Sequence, residues 1–491
     1  MSFKRWSSGL RSRLNIMPFN SIFDAASNGS PDDVKRIIAK GADVNAVNEK
    51  GLTALMCAAS FNTNAEVIKV LADAGADVNA ATEKGLTALM YSARHNPNAK
   101  VTEALTDAGA DVNAKDNNGR SALKLAIKNN SGAEVIKVLA DAGADIDARD
   151  KNGLTALMNA VIGNSDAKTV KALTDAGADA NAKTKDGLTV LMLAVTSNSN
   201  AEVTKVLIDA GADITARTKD GFTVLMLAMK TASADAITVL LDAGADVSAK
   251  TKNGLTALMY AAWYNQDTKV IRTLVNAGAD VNAGNAEGMT ALMYAARYNP
   301  NPDAARTLIY AGADITAKYK DGLTVLMLAA MSNPSTKVAK TLIDSGAEVN
   351  ARNEAGLTAL MYAARYNSDA DVIRTLINAG ADVNAKNRNG LTALMYAAWY
   401  NPSAEVVKFL IYAGADVNAK SEYGLTALML ATMKTSNANV ITVLLDAGAD
   451  VTAKNVDGKT ALDYAKENDV IKGADAYWAL NDAYWKQKSR L

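Results

Sequence analysis

The chain has 491 residues, and its 52 Lys and Arg are balanced by 52 Asp and Glu. This balance argues against a general binder of nucleic acid or of anionic membranes. The single Cys57 excludes a disulfide framework and zinc clusters and is typical of a reducing compartment. The sequence has no run of about 18 apolar residues, the length needed to span a bilayer, so we expect a soluble protein without a transmembrane segment.

A glycine recurs at a nearly constant spacing and opens a similar stretch each time. These glycines are Gly51, Gly85, Gly119, Gly153, Gly187, Gly221, Gly254, Gly288, Gly322, Gly356, Gly390, Gly424 and Gly458. Every step is 34 residues except the step from Gly221 to Gly254, which is 33. A fixed period of about 20–50 residues is typical of architectures in which each repeat buries its apolar face against its neighbours. We therefore predict about 14 stacked units rather than several separate globular domains.

Residues 1–20 precede the repeats and contain Lys and Arg but no acidic residue. Trp6, Leu10, Leu14 and Met17 are spaced for one face of a helix, which predicts a basic amphipathic segment. One interpretation is a targeting, secretion or membrane-surface element. The other is an unstructured tail, with Met17 as an internal start.

Residues 21–50 predict a shortened first repeat, in which Ala25 lies on the first helix and Val34 on the second. Its outward-facing Asp24, Lys35 and Arg36 are polar, as the end of a stack of repeats requires. We interpret this segment as an N-terminal capping repeat.

Residues 51–457 contain twelve full repeats, and the one that opens at Gly390 illustrates the first helix. Thr392 is suited to cap a helix that runs to Tyr400, because its hydroxyl can accept from a free first-turn amide. Leu394, Ala397 and Ala398 would share the buried face of this helix. Asn401 is predicted to end the helix in the left-handed conformation.

The second half of this repeat predicts another helix over residues 404–412. Val406, Val407, Leu410 and Ile411 are expected to face inward, with Gly414 as the C-terminal stop. The segment from Ala415 to the next opening glycine is short and rich in turn residues, which predicts a hairpin-like connection.

The motifs G-L-T-A-L-M at Gly390 and A-G-A-D-V-N-A at Ala413 resemble the ankyrin repeat, and the resemblance covers about residues 20–472. This chain has T-A-L-M where the family has T-P-L-H, so Met395 replaces the histidine that bonds to Thr in the family. The resemblance implies an all-α ankyrin-repeat solenoid with short β-hairpin-like connections. It also implies a protein-binding role, with partner contacts on the concave side and the hairpin tips.

Residues 458–472 form the last repeat, where polar Asp463, Lys466 and Glu467 indicate a C-terminal cap. Residues 473–491 then carry the sequence Ala-Tyr-Trp twice, seven residues apart. This tail is predicted to be a helix that either seals the last repeat or forms a docking or dimer seam.

The residues needed for catalysis are scarce in this sequence. His95 is the only histidine, and the Asp residues of the G-A-D turns recur once per repeat, which indicates turn and capping roles. The phosphate-binding pattern G-x-x-x-x-G-K-S/T is absent. We therefore expect a protein that is not an enzyme and that binds no cofactor or metal.

Side chains at positions 10 and 11 of each repeat, counted from the opening glycine, are expected on the concave side. From the repeat at Gly254 to the repeat at Gly390 this stripe is rich in Trp, Tyr and Arg, which are enriched at binding hot spots. The candidate partner-binding residues are Trp263, Tyr264, Arg297, Tyr298, Arg365, Tyr366, Trp399 and Tyr400. Two alternatives remain open: the side chains stack between repeats as a structural ladder, or recent duplication copied them.

The function predicted from the sequence is a non-enzymatic scaffold that binds a protein partner, not nucleic acid, on the concave face. The chain is expected to be monomeric and cytoplasmic, unless residues 1–20 direct secretion or targeting. One alternative is a translocated effector or tethering subunit addressed by residues 1–20. Another is a self-assembling structural spacer joined through the C-terminal tail.

Overall fold

The computed structural model describes residues 19–129, 132–163, 166–197, 200–333, 335–434 and 438–489. All but the last two residues of the predicted basic segment 1–20 lie outside the described residues. One compact unit contains the described residues up to Lys219 together with Thr231–Ala245. A second contains Asp220–Lys230 together with the described residues from Asp246 onward.

Helices account for most of both units. The helices of the first unit are α1 (Ile22–Asn28), α2 (Pro31–Ala39), α3 (Ala54–Phe61), α4 (Ala65–Asp73), α5 (Ala88–His95), α6 (Ala99–Asp107), α7 (Ala122–Lys128), α8 (Ala133–Asp141), α9 (Ala156–Ile162), α10 (Ala167–Asp175), α11 (Val190–Ser197), α12 (Ala201–Asp209) and α14 (Ala234–Asp242). The helices of the second unit are α13 (Val224–Ala228), α15 (Ala257–Tyr264), α16 (Thr268–Asn276), α17 (Ala291–Tyr298), α18 (Pro302–Tyr310), α19 (Val325–Ser332), α20 (Thr336–Asp344), α21 (Ala359–Tyr366), α22 (Ala370–Asn378), α23 (Ala393–Tyr400), α24 (Ala404–Tyr412), α25 (Ala427–Lys434), α26 (Asn439–Asp446), α27 (Ala461–Glu467) and α28 (Asp475–Lys488).

Within each unit the helices pack in two rows. The odd-numbered first helices pack one on the next, the even-numbered second helices do the same, and most repeats also pair their two helices. The core lies between the rows and is filled by small and aliphatic side chains, such as Leu394, Ala397 and Val406 of one repeat. The predicted all-α architecture of stacked helix pairs is confirmed.

The helix bounds predicted for the repeat at Gly390 agree with the structure. The hydroxyl of Thr392 accepts a hydrogen bond from the backbone N–H of Met395 at 3.3 Å, and α23 begins at the next residue. Helix α24 spans Ala404–Tyr412, and Gly414 follows it with a φ of 94°. Ile411 is only half-buried, whereas Val406, Val407 and Leu410 are fully buried as predicted.

Hairpins connect successive repeats, as predicted. One is regular enough to form the antiparallel strands β1 (Lys318–Tyr319) and β2 (Leu323–Thr324), which pair Lys318 with Thr324 and Tyr319 with Leu323. A short 3-10 turn at Lys320–Gly322 joins them.

The opening glycine Gly390 is needed because its hairpin lies close to the next one. Gly390 has a φ of 75°, and a Cβ at this position would lie 2.8 Å from the backbone nitrogen of Glu422 in the next hairpin. The neighbouring Asn389 carbonyl accepts a hydrogen bond from that same nitrogen at 3.0 Å. A side chain here would strain the backbone and separate the two hairpins.

The predicted role of Asn401 is wrong. Its φ of −91° and ψ of 124° are extended rather than left-handed. The side-chain amide is buried and donates to the carbonyl of Ala364 at 3.0 Å and to that of Asn367 at 2.8 Å, both in the preceding repeat. Its side-chain oxygen accepts from the backbone N–H of Ser403 at 2.9 Å. Asn401 therefore links two repeats.

Asparagines at the equivalent position make the same link at six other helix ends in the described chain. They are Asn62, Asn96, Asn265, Asn299, Asn333 and Asn468. In most of them the amide donates to two backbone carbonyls of the preceding repeat, as with Asn299 and the carbonyls of Ala262 and Asn265. We call these residues, with Asn401, the bridging asparagines.

The C-terminal helix α28 packs against α26 and α27. This is the position expected of a helix that seals the last repeat. Ala476 and Leu480 are buried in this contact. Near its end, the side chain of Gln487 accepts from the backbone N–H of Val451 and donates to Asp450, each at 3.2 Å. Helix α28 thus covers the apolar side of the last repeat.

We predict that Asn401→Ala lowers the free energy of unfolding by about 1–3 kcal/mol, because the buried carbonyl of Ala364 and the partly buried carbonyl of Asn367 lose their hydrogen-bond donor. Urea unfolding followed by circular dichroism measures this loss. The exposed Asn378→Ala, at the end of α22, serves as the control and should change stability by less than about 0.5 kcal/mol. Equal effects of the two substitutions would contradict a linking role for Asn401.

Candidate functional site

The predicted binding residues are the last two residues of four first helices in the second unit. Helices α15, α17, α21 and α23 each follow a Thr cap and end at a tyrosine. An extended asparagine follows each helix, so the residue pairs project at the helix ends. We call the surface formed by these ends the first-helix face of the second unit.

The first aromatic cluster joins α15 to α17. Its members are Tyr260, Trp263, Tyr264, Tyr294, Arg297 and Tyr298. The Trp263 ring stacks on Tyr264 with centroids 4.6 Å apart, and on Tyr298 of the next repeat at 4.9 Å. The guanidinium carbon of Arg297 lies 5.0 Å from the centre of the Tyr298 ring.

The second aromatic cluster joins α21 to α23. Its members are Tyr362, Arg365, Tyr366, Tyr396, Trp399 and Tyr400. The guanidinium carbon of Arg365 lies 4.8 Å from the ring centre of Tyr366 and 4.3 Å from that of Tyr400 in the next repeat. The Trp399 and Tyr400 rings stack at 4.7 Å.

The repeat between the clusters differs from its neighbours. It has Leu328, Met331 and Ser332 where both flanking repeats have tyrosine, arginine and tyrosine. None of these three residues carries a ring. The eight candidate residues therefore belong to two clusters separated by one repeat.

Sequence analysis did not identify four tyrosines of the clusters, Tyr260, Tyr294, Tyr362 and Tyr396, although each directly follows T-A-L-M. The hydroxyls of Tyr294, Tyr362 and Tyr396 accept hydrogen bonds from hairpin asparagines at 3.0–3.1 Å. Burial raises the pKa of all three phenols, and burial raises that of Tyr260 to about 12. These phenols stay neutral at physiological pH and tie the hairpins to the clusters.

Both cluster arginines are stacked but not otherwise paired. Among the described residues, neither Arg297 nor Arg365 makes an ion pair, and the buried Nε of each has no acceptor, nor has the buried Nε1 of Trp399. Buried donors without a partner are uncommon in native proteins. The last turn of a helix also favours these positive charges.

A family model described as ankyrin repeats (3 copies) matches the chain in overlapping segments. The matched residues are 22–116, 98–183, 157–251, 235–319, 292–387, 326–421 and 394–476. The chain belongs to the ankyrin repeat family. Ankyrin repeats are generally modules of protein–protein interaction, and proteins built from them are typically not enzymes. A comparison with curated proteins gives no match.

In these ankyrin repeats the ring contacts between neighbours agree with the structural-ladder interpretation. They nevertheless leave part of each cluster open, since Tyr264, Tyr366 and Tyr400 are 43%, 51% and 43% exposed. The inner rings therefore pack the repeats, while these three terminal tyrosines remain partly exposed. The same residues can serve both purposes.

The equivalent positions in the first unit are occupied by other residue types and form no comparable cluster among the described residues. Phe61 is exposed, and the ring of His95 stacks on that of Tyr91 with centroids 6.3 Å apart. Burial and the neighbouring Arg94 lower the pKa of His95. Lys128 and Ile162 line a cleft of about 500 Å³ between two repeats.

An ion pair closes one side of this cleft. Lys124 binds Asp150, and Asn159 also donates to that carboxylate. Burial alone would raise the pKa of Asp150, but the hydrogen bonds from Lys124 and from the backbone of Leu154 and Asn152 lower it to about 2. The pair links the first helix of one repeat to the following hairpin.

The described parts of the chain contain no group of three or more His, Cys, Asp or Glu side chains that could hold a metal ion. None of the described helices is long and apolar enough to cross a membrane.

We predict that Asp150→Asn lowers the free energy of unfolding at pH 7 by about 1–2 kcal/mol after allowance for solvent screening. The folded-state pKa lies below the unfolded one, so this contribution is present above about pH 4 and is lost as the pH falls towards 2. Urea unfolding at pH 7 and at acid pH measures it, with the exposed Asp141→Asn as control. A difference between wild type and D150N that does not shrink at low pH would contradict this account.

Proposed function

We propose that this ankyrin chain is a non-enzymatic scaffold that holds a protein partner on the first-helix face of its second unit. The observation that carries the proposal is the pair of aromatic clusters, which combine exposed tyrosines with stacked, unpaired arginines. Such residues bury much area at low entropic cost and are enriched at binding hot spots. The family's general role in protein interaction supports the same conclusion.

The contacts within the clusters favour binding because they reduce the side-chain entropy that is lost when a partner docks. Tyr366 and Tyr400 are held by Arg365, and Tyr264 is held by Trp263. Side chains fixed before binding lose little rotamer freedom when a partner docks. The packing role and the binding role are therefore compatible.

We predict that Tyr264→Ala, Tyr366→Ala and Tyr400→Ala together abolish capture of a specific partner. Each residue that acts as a hot spot would cost about 2 kcal/mol of binding free energy. The measurement is affinity purification from the source cells with quantitative mass spectrometry, after circular dichroism shows that the variant folds like the wild type.

The matched control combines Phe61→Ala, Tyr310→Ala and Tyr412→Ala. These rings are also well exposed, but Phe61 lies in the first unit and the two tyrosines end second helices. The control should keep the partner. An unchanged partner set with the first triple variant, or loss of the partner from the control, would refute the proposed site.

Self-association through α28 is a second candidate, corresponding to the spacer alternative. Trp478 and Trp485 lie two turns apart on this helix and are 64% and 57% exposed. Asp475 lies at the start of the helix and Lys488 at its end, so an antiparallel second copy would place opposite charges together. The two exposed tryptophans are the observation that favours this candidate.

Sedimentation velocity over a wide concentration range tests this candidate. If α28 joins copies, the wild type gains mass with concentration, whereas the variant Trp478→Ala/Trp485→Ala remains a monomer. A wild type that remains monomeric throughout would eliminate self-assembly.

A further inference from the structure

We propose that the partner is an acidic polypeptide segment with two carboxylates about six residues apart, which bind Arg297 and Arg365. This inference rests on the proposed function and adds the chemistry of the partner. It follows from the state of the two guanidinium groups, from the spacing between them and from the contacts already made by the aromatic rings.

Aromatic rings hold the two guanidinium groups in place, but neither group has an acidic partner among the described residues. Each is stacked on tyrosine rings, Arg297 on Tyr298 and Arg365 between Tyr366 and Tyr400. A stacked guanidinium uses its faces, so an acceptor must approach its N–H donors in its own plane, and the buried Nε–H of each leaves the terminal nitrogens for that contact. Glu287, an acid beside the first cluster, is already bound to Lys320 and Tyr319.

The ligand that matches such a donor edge is a planar anion with two acceptor oxygens. A carboxylate accepts two parallel hydrogen bonds from a guanidinium, and charge makes these bonds stronger than neutral ones. The buried phenols of both clusters have raised pKa values and carry no opposing negative charge at neutral pH. Acidic side chains therefore complement this face.

The repeat fixes the distance between the two anions. Arg297 and Arg365 occupy the same position two repeats apart, and neighbouring helices are spaced by about 8–10 Å. The separation is then about 16–20 Å, which an extended chain covers in roughly six residues. Because side chains alternate along an extended chain, an even separation places both carboxylates on the same side.

A polypeptide fits this face better than a single-stranded nucleic acid. Binding of bases requires open aromatic faces on which they can stack. Trp263 already stacks on Tyr264 and Tyr298, and Trp399 already stacks on Tyr400. A base would have to displace one of these rings, whereas a peptide can contact their edges.

The test selects random 12-residue peptides displayed on phage against the immobilised full-length protein. We expect enrichment of peptides with Asp or Glu at two positions six residues apart. Binding of the synthetic peptides should weaken about tenfold or more with Arg297→Gln/Arg365→Gln, because charge-assisted hydrogen bonds are lost. Replacing both acids of the peptide by amides should have a similar effect.

The matched control is Arg306→Gln/Arg374→Gln. These arginines lie on the second helices of the same two repeats, so the net charge changes equally. The control should bind the peptides like the wild type. Circular dichroism and thermal unfolding of both variants establish that each is folded.

Three results would overturn the inference. They are enriched peptides without paired acids, equal binding by R297Q/R365Q and the wild type, and no enrichment at all. Single-stranded RNA of 12 uridines that binds through the same arginines and competes with the peptides would also overturn it, in favour of a nucleic acid.

The aromatic variant Tyr264→Ala/Tyr366→Ala/Tyr400→Ala separates this inference from the proposed function. If non-acidic peptides are enriched and lose binding with this variant, the proposed binding face stands and only the acidic recognition is wrong. If the enriched peptides bind this variant and R297Q/R365Q with the same affinity as they bind the wild type, both proposals fail.

Discussion

The bridging asparagines are the interaction on which the stacking of these repeats depends. A single helix pair has too little apolar surface to fold alone, so each repeat must be held in register with its neighbour. Asn299 and Asn401 do this with buried amides that donate to carbonyls of the preceding repeat. These bonds are specific in direction, whereas the burial of alanine and leucine between the rows is not.

The same register places the aromatic clusters. Each bridging asparagine directly follows the last residue of a first helix, so the tyrosine before it, such as Tyr400 before Asn401, has a fixed position relative to the preceding repeat. Arg365 can then stack on Tyr400, and Trp263 on Tyr298, across the boundary between repeats. A binding surface built in this way is preorganised by the stacking that also stabilises the fold.

The local part of this architecture could be predicted from the sequence. Thr392 and Gly414 mark the ends of their helices through interactions within a few residues, and both predictions agree with the structure. The role of Asn401 could not be predicted, because its partners lie 34 and 37 residues away and its extended backbone is set by them. The hydrogen bond that Asn387 donates to Tyr396 was also missed, because it joins a hairpin to a helix and neither element alone indicates it.

The proposal that the first-helix face of the second unit binds a protein partner is tested most directly by photo-crosslinking in the source cells. The photoreactive residue p-benzoylphenylalanine would replace either Tyr400 or Tyr412, which are exposed tyrosines on the first and second helix of one repeat. The account predicts a defined crosslinked protein from position 400 and none from position 412. Crosslinks from position 412 alone, or the same products from both positions, would contradict it.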